Sequence, residues 1–170
     1  RITPLIVSWI ASAGLAVALI ASIVVGFFPS YAASITDPTR ASKNACLLPV
    51  AFTDLAALPA ARVMAPIDLG AHLLAHTPHA VVAAPYHRNA EGVRDTFDFF
   101  NGPIAAARDI LERRGVTLVV VCPPMPELRG LPDAAPDSFV RLYASNELPG
   151  WLVETTPPNA TLRVFTVTPR

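Results

Sequence analysis

The sequence predicts one transmembrane helix followed by a small α/β domain with a mostly parallel sheet. Three observations lead there. Residues 5–28 (LIVSWIASAGLAVALIASIVVGFF) carry no charge, while all 13 acidic residues lie at or after Asp37. Two later runs, Ala80–Tyr86 (AVVAAPY) and Val116–Cys122 (VTLVVVC), are largely apolar, as strands covered on both faces of a parallel sheet are. Around them the chain shows helical periodicity, punctuated by caps and breakers.

The apolar run has the length of a membrane span. Its 24 residues at about 1.5 Å each give roughly 36 Å of helix, against a hydrocarbon core of about 30 Å. Backbone groups in lipid must be satisfied internally, so the run is expected to be helical. Trp9 and Tyr31 suit anchoring at the two interfaces. Ser8, Ala11, Ser12, Gly14, Ala18, Ala21 and Ser22 would let neighbouring helices approach closely, as in a polytopic bundle. A signal peptide is the main alternative, with Ser30-Tyr31-Ala32 as a small-x-small site, but the run is long for a signal core. A buried helix of a soluble protein is the other; such length without a charge is rare there. The chain begins at Arg1 rather than Met, as expected of a piece of a longer protein. The expected organisation is a transmembrane helix over 1–28, a linker over 29–44 and an outer domain over 45–170. Its expected partners are the lipid bilayer and other transmembrane helices of the parent.

Charge does not orient the span, because Arg1 precedes it and Arg40 and Lys43 follow. Cysteine usage is the better guide. Cys46 and Cys122 are the two cysteines, 76 positions apart. An even count in an export-side domain fits one disulfide, and closing so long a loop contributes roughly 4 kcal/mol by chain entropy. Two buried, unpaired thiols are the alternative. Formal net charge is zero, with 13 basic and 13 acidic residues, which argues against a nucleic-acid partner.

The domain reads in order as follows. Cys46–Phe52 opens it. Thr53 caps a short turn that ends before Pro59. Arg62–Pro66 is a short strand. Asp68–Thr77 is a helix capped by Asp68 and stopped by Pro78. Ala80–Tyr86 is a strand, and Glu91–Phe100 a helix with Val93, Phe97 and Phe100 at helical spacing. Asn101-Gly102-Pro103 breaks it, and Ile104–Arg114 is the next helix, with Gly115 as its C-terminal cap. Val116–Cys122 is the clearest strand. Pro123–Pro136 holds five prolines and is a loop. Asp137–Ser145 is a short helix, and Thr161–Thr168 alternates as a last strand.

The densest chemistry is His79–Asn89 (HAVVAAPYHRN). Tyr86, His87, Arg88 and Asn89 fall just past the C-terminal end of a strand, the edge where open α/β sheets bind ligands. Arg88 could grip an anion, His87 move a proton and Asn89 fix a hydroxyl. The competing reading is a structural corner, with Tyr86 packed, Asn89 capping the next helix, and Arg88 paired with Asp68 or Glu91. His72 and His76 lie four apart on one helical face, with Asp68 one turn earlier, a spacing zinc can use. No compact Cys/His motif joins them, and no metal is expected. There is no Cys-x-x-Cys, Gly-rich phosphate loop or nucleophile elbow. Asn159-Ala160-Thr161 matches a glycosylation acceptor.

The runs Arg62–Gly70 (RVMAPIDLG), Thr77-Pro78-His79, Ala84–Asn89 (APYHRN) and Val119–Pro123 (VVVCP) resemble the C-terminal domain of a group of proteobacterial polytopic membrane proteins. Some of that group look like GT-C type glycosyltransferases acting on lipid-linked sugars. The resemblance covers roughly residues 44–168; its most distinctive block is PYHRN, and His72 and His76 are not part of it. It implies a last transmembrane helix, a C-terminal domain in the periplasm of the bacterial inner membrane, and a polyprenyl-linked sugar as partner. Enzymes of that superfold place their catalytic acid in an early periplasmic loop, outside these 170 residues. No catalytic residue or cofactor is therefore carried over. Asp68, His79, Tyr86, His87, Arg88 and Asn89 are carried over as candidate ligand-binding positions. The implied function is that of an accessory domain of a GT-C-like glycosyltransferase. The alternative is a single-span anchored periplasmic domain that binds a ligand or is structural.

Overall fold

The computed structural model describes residues 38–157 and 160–170. The predicted span over Leu5–Phe28, and Asn159 of the glycosylation tripeptide, lie outside them. Among the described residues no helix is long and apolar enough to cross a membrane. Residues 42–170 form one compact unit.

A helix, α1 (Pro38–Ala45), occupies the end of the expected linker. Proline is favoured at a first helical position because its missing N–H has no partner to lose there, and Lys43 in the last turn faces the negative end of the helix dipole. Next come a 3₁₀ turn over Pro49–Phe52 and a single helical turn, α2 (Thr53–Ala56). The sheet and its helices follow: β1 (Arg62–Met64), α3 (Ile67–His76), β2 (Ala80–Val81), α4 (Ala90–Asn101), α5 (Ile104–Arg114), β3 (Leu118–Val121), a 3₁₀ turn over Pro126–Arg129, α6 (Phe139–Ser145), β4 (Leu152–Glu154) and β5 (Arg163–Val167).

The five strands lie in the order β2-β1-β3-β5-β4. β1 pairs in parallel with β2 and β3, whereas β3–β5 and β4–β5 are antiparallel. The expectation of a mostly parallel sheet is thus corrected: the sheet is mixed, and the longer ladders are antiparallel. The cause is β4, a strand not expected from the sequence: it forms a hairpin with β5, which folds back between β3 and β4 and runs antiparallel to both. β3 is buried at all four positions, as the long apolar run demanded. β2 is much shorter than the predicted Ala80–Tyr86. Val82 N–H still reaches Val63 C=O at 3.0 Å, but the backbone of Ala83 and Ala84 then turns under α3. Gly70 permits that approach, because a Cβ there would stand 2.1 Å from Ala83 O.

The core centres on β1, β3 and β5 with Leu69 and Leu73 of α3, Leu111 of α5, and an aromatic group of Phe99, Phe100, Phe139 and Phe165. α4 buries Gly92, Asp95, Thr96, Phe99 and Phe100, an unbroken i, i+3, i+4, i+7, i+8 stripe. The predicted face through Val93 and Phe97 is therefore rotated; Phe97 is 42% exposed. Asp95 is admitted to the stripe because Arg113 and Arg114 of α5 both reach its carboxylate. Gly115 ends α5 with φ 61°, the left-handed conformation expected of a glycine cap.

Cys46 and Cys122 form a disulfide, with Cα atoms 6.1 Å apart. It joins the residue after α1 to the residue after β3. The bond closes a separation of 76 positions.

Candidate functional site

The six predicted site residues do not converge. His79 is buried, and both ring nitrogens are spent inside the domain. Nδ1 accepts from Ala61 N–H at 3.1 Å, so Nε2 carries the proton and donates to Leu55 O at 2.9 Å. His79 thereby ties α2 to the residues entering β1. Asn89 is the N-cap of α4. Its Oδ1 accepts from Gly92 N–H at 3.2 Å, while Nδ2 donates to Val82 O at 2.9 Å. Those two residues are a pin and a corner.

Tyr86, His87 and Arg88 form the exposed tip of the β2–α4 connection, with Tyr86 57% exposed. Their side chains make no hydrogen bond or ion pair with the described residues. The pairing proposed for Arg88 is corrected, because Asp68 bonds Lys43 at 2.8 Å and Glu91 faces Arg114 at 3.8 Å. Asp68 is not the cap of α3 either. The N-cap position is Pro66, and Asp68 lies within the first turn. The cap comes from elsewhere: Glu127, in the turn after β3, accepts Ile67 N–H through Oε1 at 3.0 Å.

His72 and His76 share a face of α3; His72 stacks on the buried Phe52 and His76 tilts against it, with ring centroids 6.4 and 5.5 Å away. Among the described residues no group of three His, Cys, Asp or Glu could hold a metal ion.

The sheet order points to a different place. β1 continues toward β2 on one side, and β3 continues toward β5 on the other. The β1/β3 boundary is therefore a topological switch point, where loops leaving the carboxyl ends of parallel strands part and open a crevice. A cleft of about 350 Å³ lies there. Ile67 and Asp68 line it after β1, Pro126, Glu127, Gly130 and Leu131 after β3, and Phe97 and Asn101 on α4. Of the six predicted residues, only Asp68 belongs to it. The other candidate positions named from the sequence lie on or after the neighbouring strand, β2, or just before it. The missed signal was Glu127, an acid in the proline-rich loop after the clearest strand.

Two carboxylates with displaced titration lie outside the cleft, Asp95 on α4 and Glu154 on β4. Burial would push Asp95 up, but hydrogen bonds and charges from Arg113 and Arg114 hold it below the ordinary carboxylate value. Glu154, on β4, is lowered by its hydrogen bonds to Arg163 of β5. Arg163 is raised in turn and also donates to the Tyr143 hydroxyl at 3.1 Å. These pairs bind helix to helix and strand to strand.

No family model matches this chain, and no curated protein matches it. Among solved structures it is similar to the C-terminal globular domain of an oligosaccharyltransferase from Archaeoglobus fulgidus. The two are 19% identical, the match covers 75% of this chain and 97% of that one, and the TM-score is 0.49.

Proposed function

We propose that residues 45–170 are an outer, membrane-tethered accessory domain of a GT-C-like glycosyltransferase that uses a lipid-linked sugar, with its catalytic centre elsewhere in the parent protein. The observation that carries this reading is the Cys46–Cys122 disulfide. Such bonds persist in oxidising compartments, which supports a periplasmic domain. It also fixes the segment that follows the apolar run to the end of the central strand, as a rigid mount would require. The resemblance of the RVMAPIDLG and APYHRN blocks supplies the enzyme class. In this reading the exposed tip Tyr86-His87-Arg88 faces the parent or its substrate, while Asn89 and His79 hold that tip in place.

The test uses the parent protein in membranes. His87→Ala with Arg88→Ala should lower sugar transfer from a polyprenyl-linked donor, while expression and melting temperature stay unchanged. Undiminished transfer would remove the tip from the substrate path.

The switch-point cleft favours a second reading, a single-span anchored domain whose work is to bind a ligand. Ligand-dependent melting of the intact protein without any transferase activity would select it.

A further inference from the structure

We propose that the cleft between the loops after β1 and β3 binds an ammonium or guanidinium group carried on an apolar stem, as a lysine or arginine side chain or a small alkylamine presents it. The inference stands apart from the glycosyltransferase reading, since it uses none of the resemblance blocks except Ile67 and Asp68.

The walls set the stem. Ile67, Pro126 and Leu131 are apolar, and Phe97 leaves part of its ring open beside them. A ring face also attracts a cation. The polar groups set the head. Asp68 and Glu127 are the charged residues of the lining, and both are acidic. Anions are therefore disfavoured.

Donor–acceptor accounting separates a cation from a neutral polyol. A sugar needs donors as well as acceptors from its site. Asn101 is committed at both ends, its Nδ2 donating to Phe97 O at 3.1 Å and its Oδ1 accepting from Leu131 N–H at 2.8 Å. Ile67 N–H is taken by Glu127 Oε1, and Gly130 N–H bonds Glu127 O. Glu127 Oε2, in contrast, is shielded from solvent and has no partner among the described residues. Water does not reach that oxygen, so its charge is weakly screened, and a cation in the cleft offsets it through space without touching it.

The rim already holds such a group. Lys43 Nζ sits 2.8 Å from Asp68 Oδ2, half of an ammonium–carboxylate pair supplied by the chain itself. A ligand's cation extends that arrangement one carboxylate deeper, toward Glu127, and competes with Lys43 for Asp68.

The experiment titrates the full 170-residue chain in micelles, with methyl groups labelled for NMR, using N-acetyl-lysinamide, N-acetyl-argininamide and n-butylammonium. N-acetyl-norleucinamide, which has the stem without the charge, is the control, and N-acetylglucosamine represents a neutral polyol. Saturable shifts at Ile67 and Leu131 are expected with the cations, and binding about tenfold weaker with norleucinamide. Tighter binding of the two amino-acid amides than of butylammonium would identify a protein side chain as the source; the reverse would identify a small amine. Glu127→Gln, which keeps an oxygen for Ile67 N–H, should weaken the cations about tenfold and leave norleucinamide unchanged. Lys43→Ala removes the internal competitor and should tighten binding about threefold. No saturable shift with any cation, an equal response to norleucinamide, preference for the sugar, or unchanged affinity in Lys43→Ala would each overturn the assignment.

Discussion

Glu127, in the turn after β3, caps the helix that follows β1 by accepting the backbone N–H of Ile67 at 3.0 Å. A loop distant by 60 positions thus does what a local Ser or Asp does in most helices. Glu127→Ala should lower stability by about 1–2 kcal/mol, with the loss spread over α3 and the loop together. Glu127→Gln should recover most of it. Urea titration of both variants separates the cap from general loop damage.

Asn89 offers a finer cut. Alanine there removes the cap on Gly92 N–H and the bond to Val82 O together. Aspartate keeps the cap and loses only the donor. Melting temperatures should rank wild type above Asn89→Asp, and Asn89→Asp above Asn89→Ala, with the full loss about 1–3 kcal/mol. An equal loss in both variants would place all the effect on Val82.

Acid should unfold the domain through two carboxylates in particular. Asp95 and Glu154 are held below their ordinary values in the folded state. The unfolded chain therefore binds more protons than the folded one between the two values. Their contribution is fully present above the unfolded values, roughly pH 4, and is lost as pH falls through the folded ones. The share of the melting temperature that these two carboxylates supply should be level down to about pH 5 and drop below pH 4. The drop should be shallower in Asp95→Asn, which starts from a lower plateau.

The disulfide gives a prediction that needs no variant. Denatured, unreduced protein should show no free thiol to labelling. Reduction should lower stability by roughly 4 kcal/mol, the chain-entropy value for a loop of this length. Two labelled thiols would remove both the bond and the main support for a periplasmic site.

Gly70→Ala should be the most damaging small substitution. The new Cβ would meet the Ala83 backbone oxygen at 2.1 Å, so α3 or the Ala83–Ala84 backbone would have to shift. A loss of about 3 kcal/mol or more is expected, against the slight gain alanine brings to an ordinary helix position. Normal expression and melting would show that α3 can slide.

Much of this architecture was legible because local chemistry agreed with tertiary need. Val116–Cys122 had to be a central strand, and Gly115 had to end a helix, since each meets a requirement no neighbour can change. The misreadings share another cause. Phe97 carries a core-forming side chain yet faces outward, because burial of Asp95 by two arginines from α5 set the rotation of α4. Asp68 reads as a cap, but Glu127 reached that end of α3 first. β4 was passed over because Leu152–Glu154 is three residues long, and its pairing with β5 is what makes it a strand. The cleft was hidden for the same reason: its walls come from three stretches that only the order β2-β1-β3 brings together.

The bond between Cys46 and Cys122 also decides how the domain carries a load. A pull arriving from its N-terminal side crosses the sulfur bridge into the end of β3 and bypasses the 75 residues between the cysteines. β1, β2 and helices α2 to α5 lie inside that bypass, so tension cannot peel them away in sequence. A tug from that side moves β1, β2 and β3 together, until the bridge is reduced.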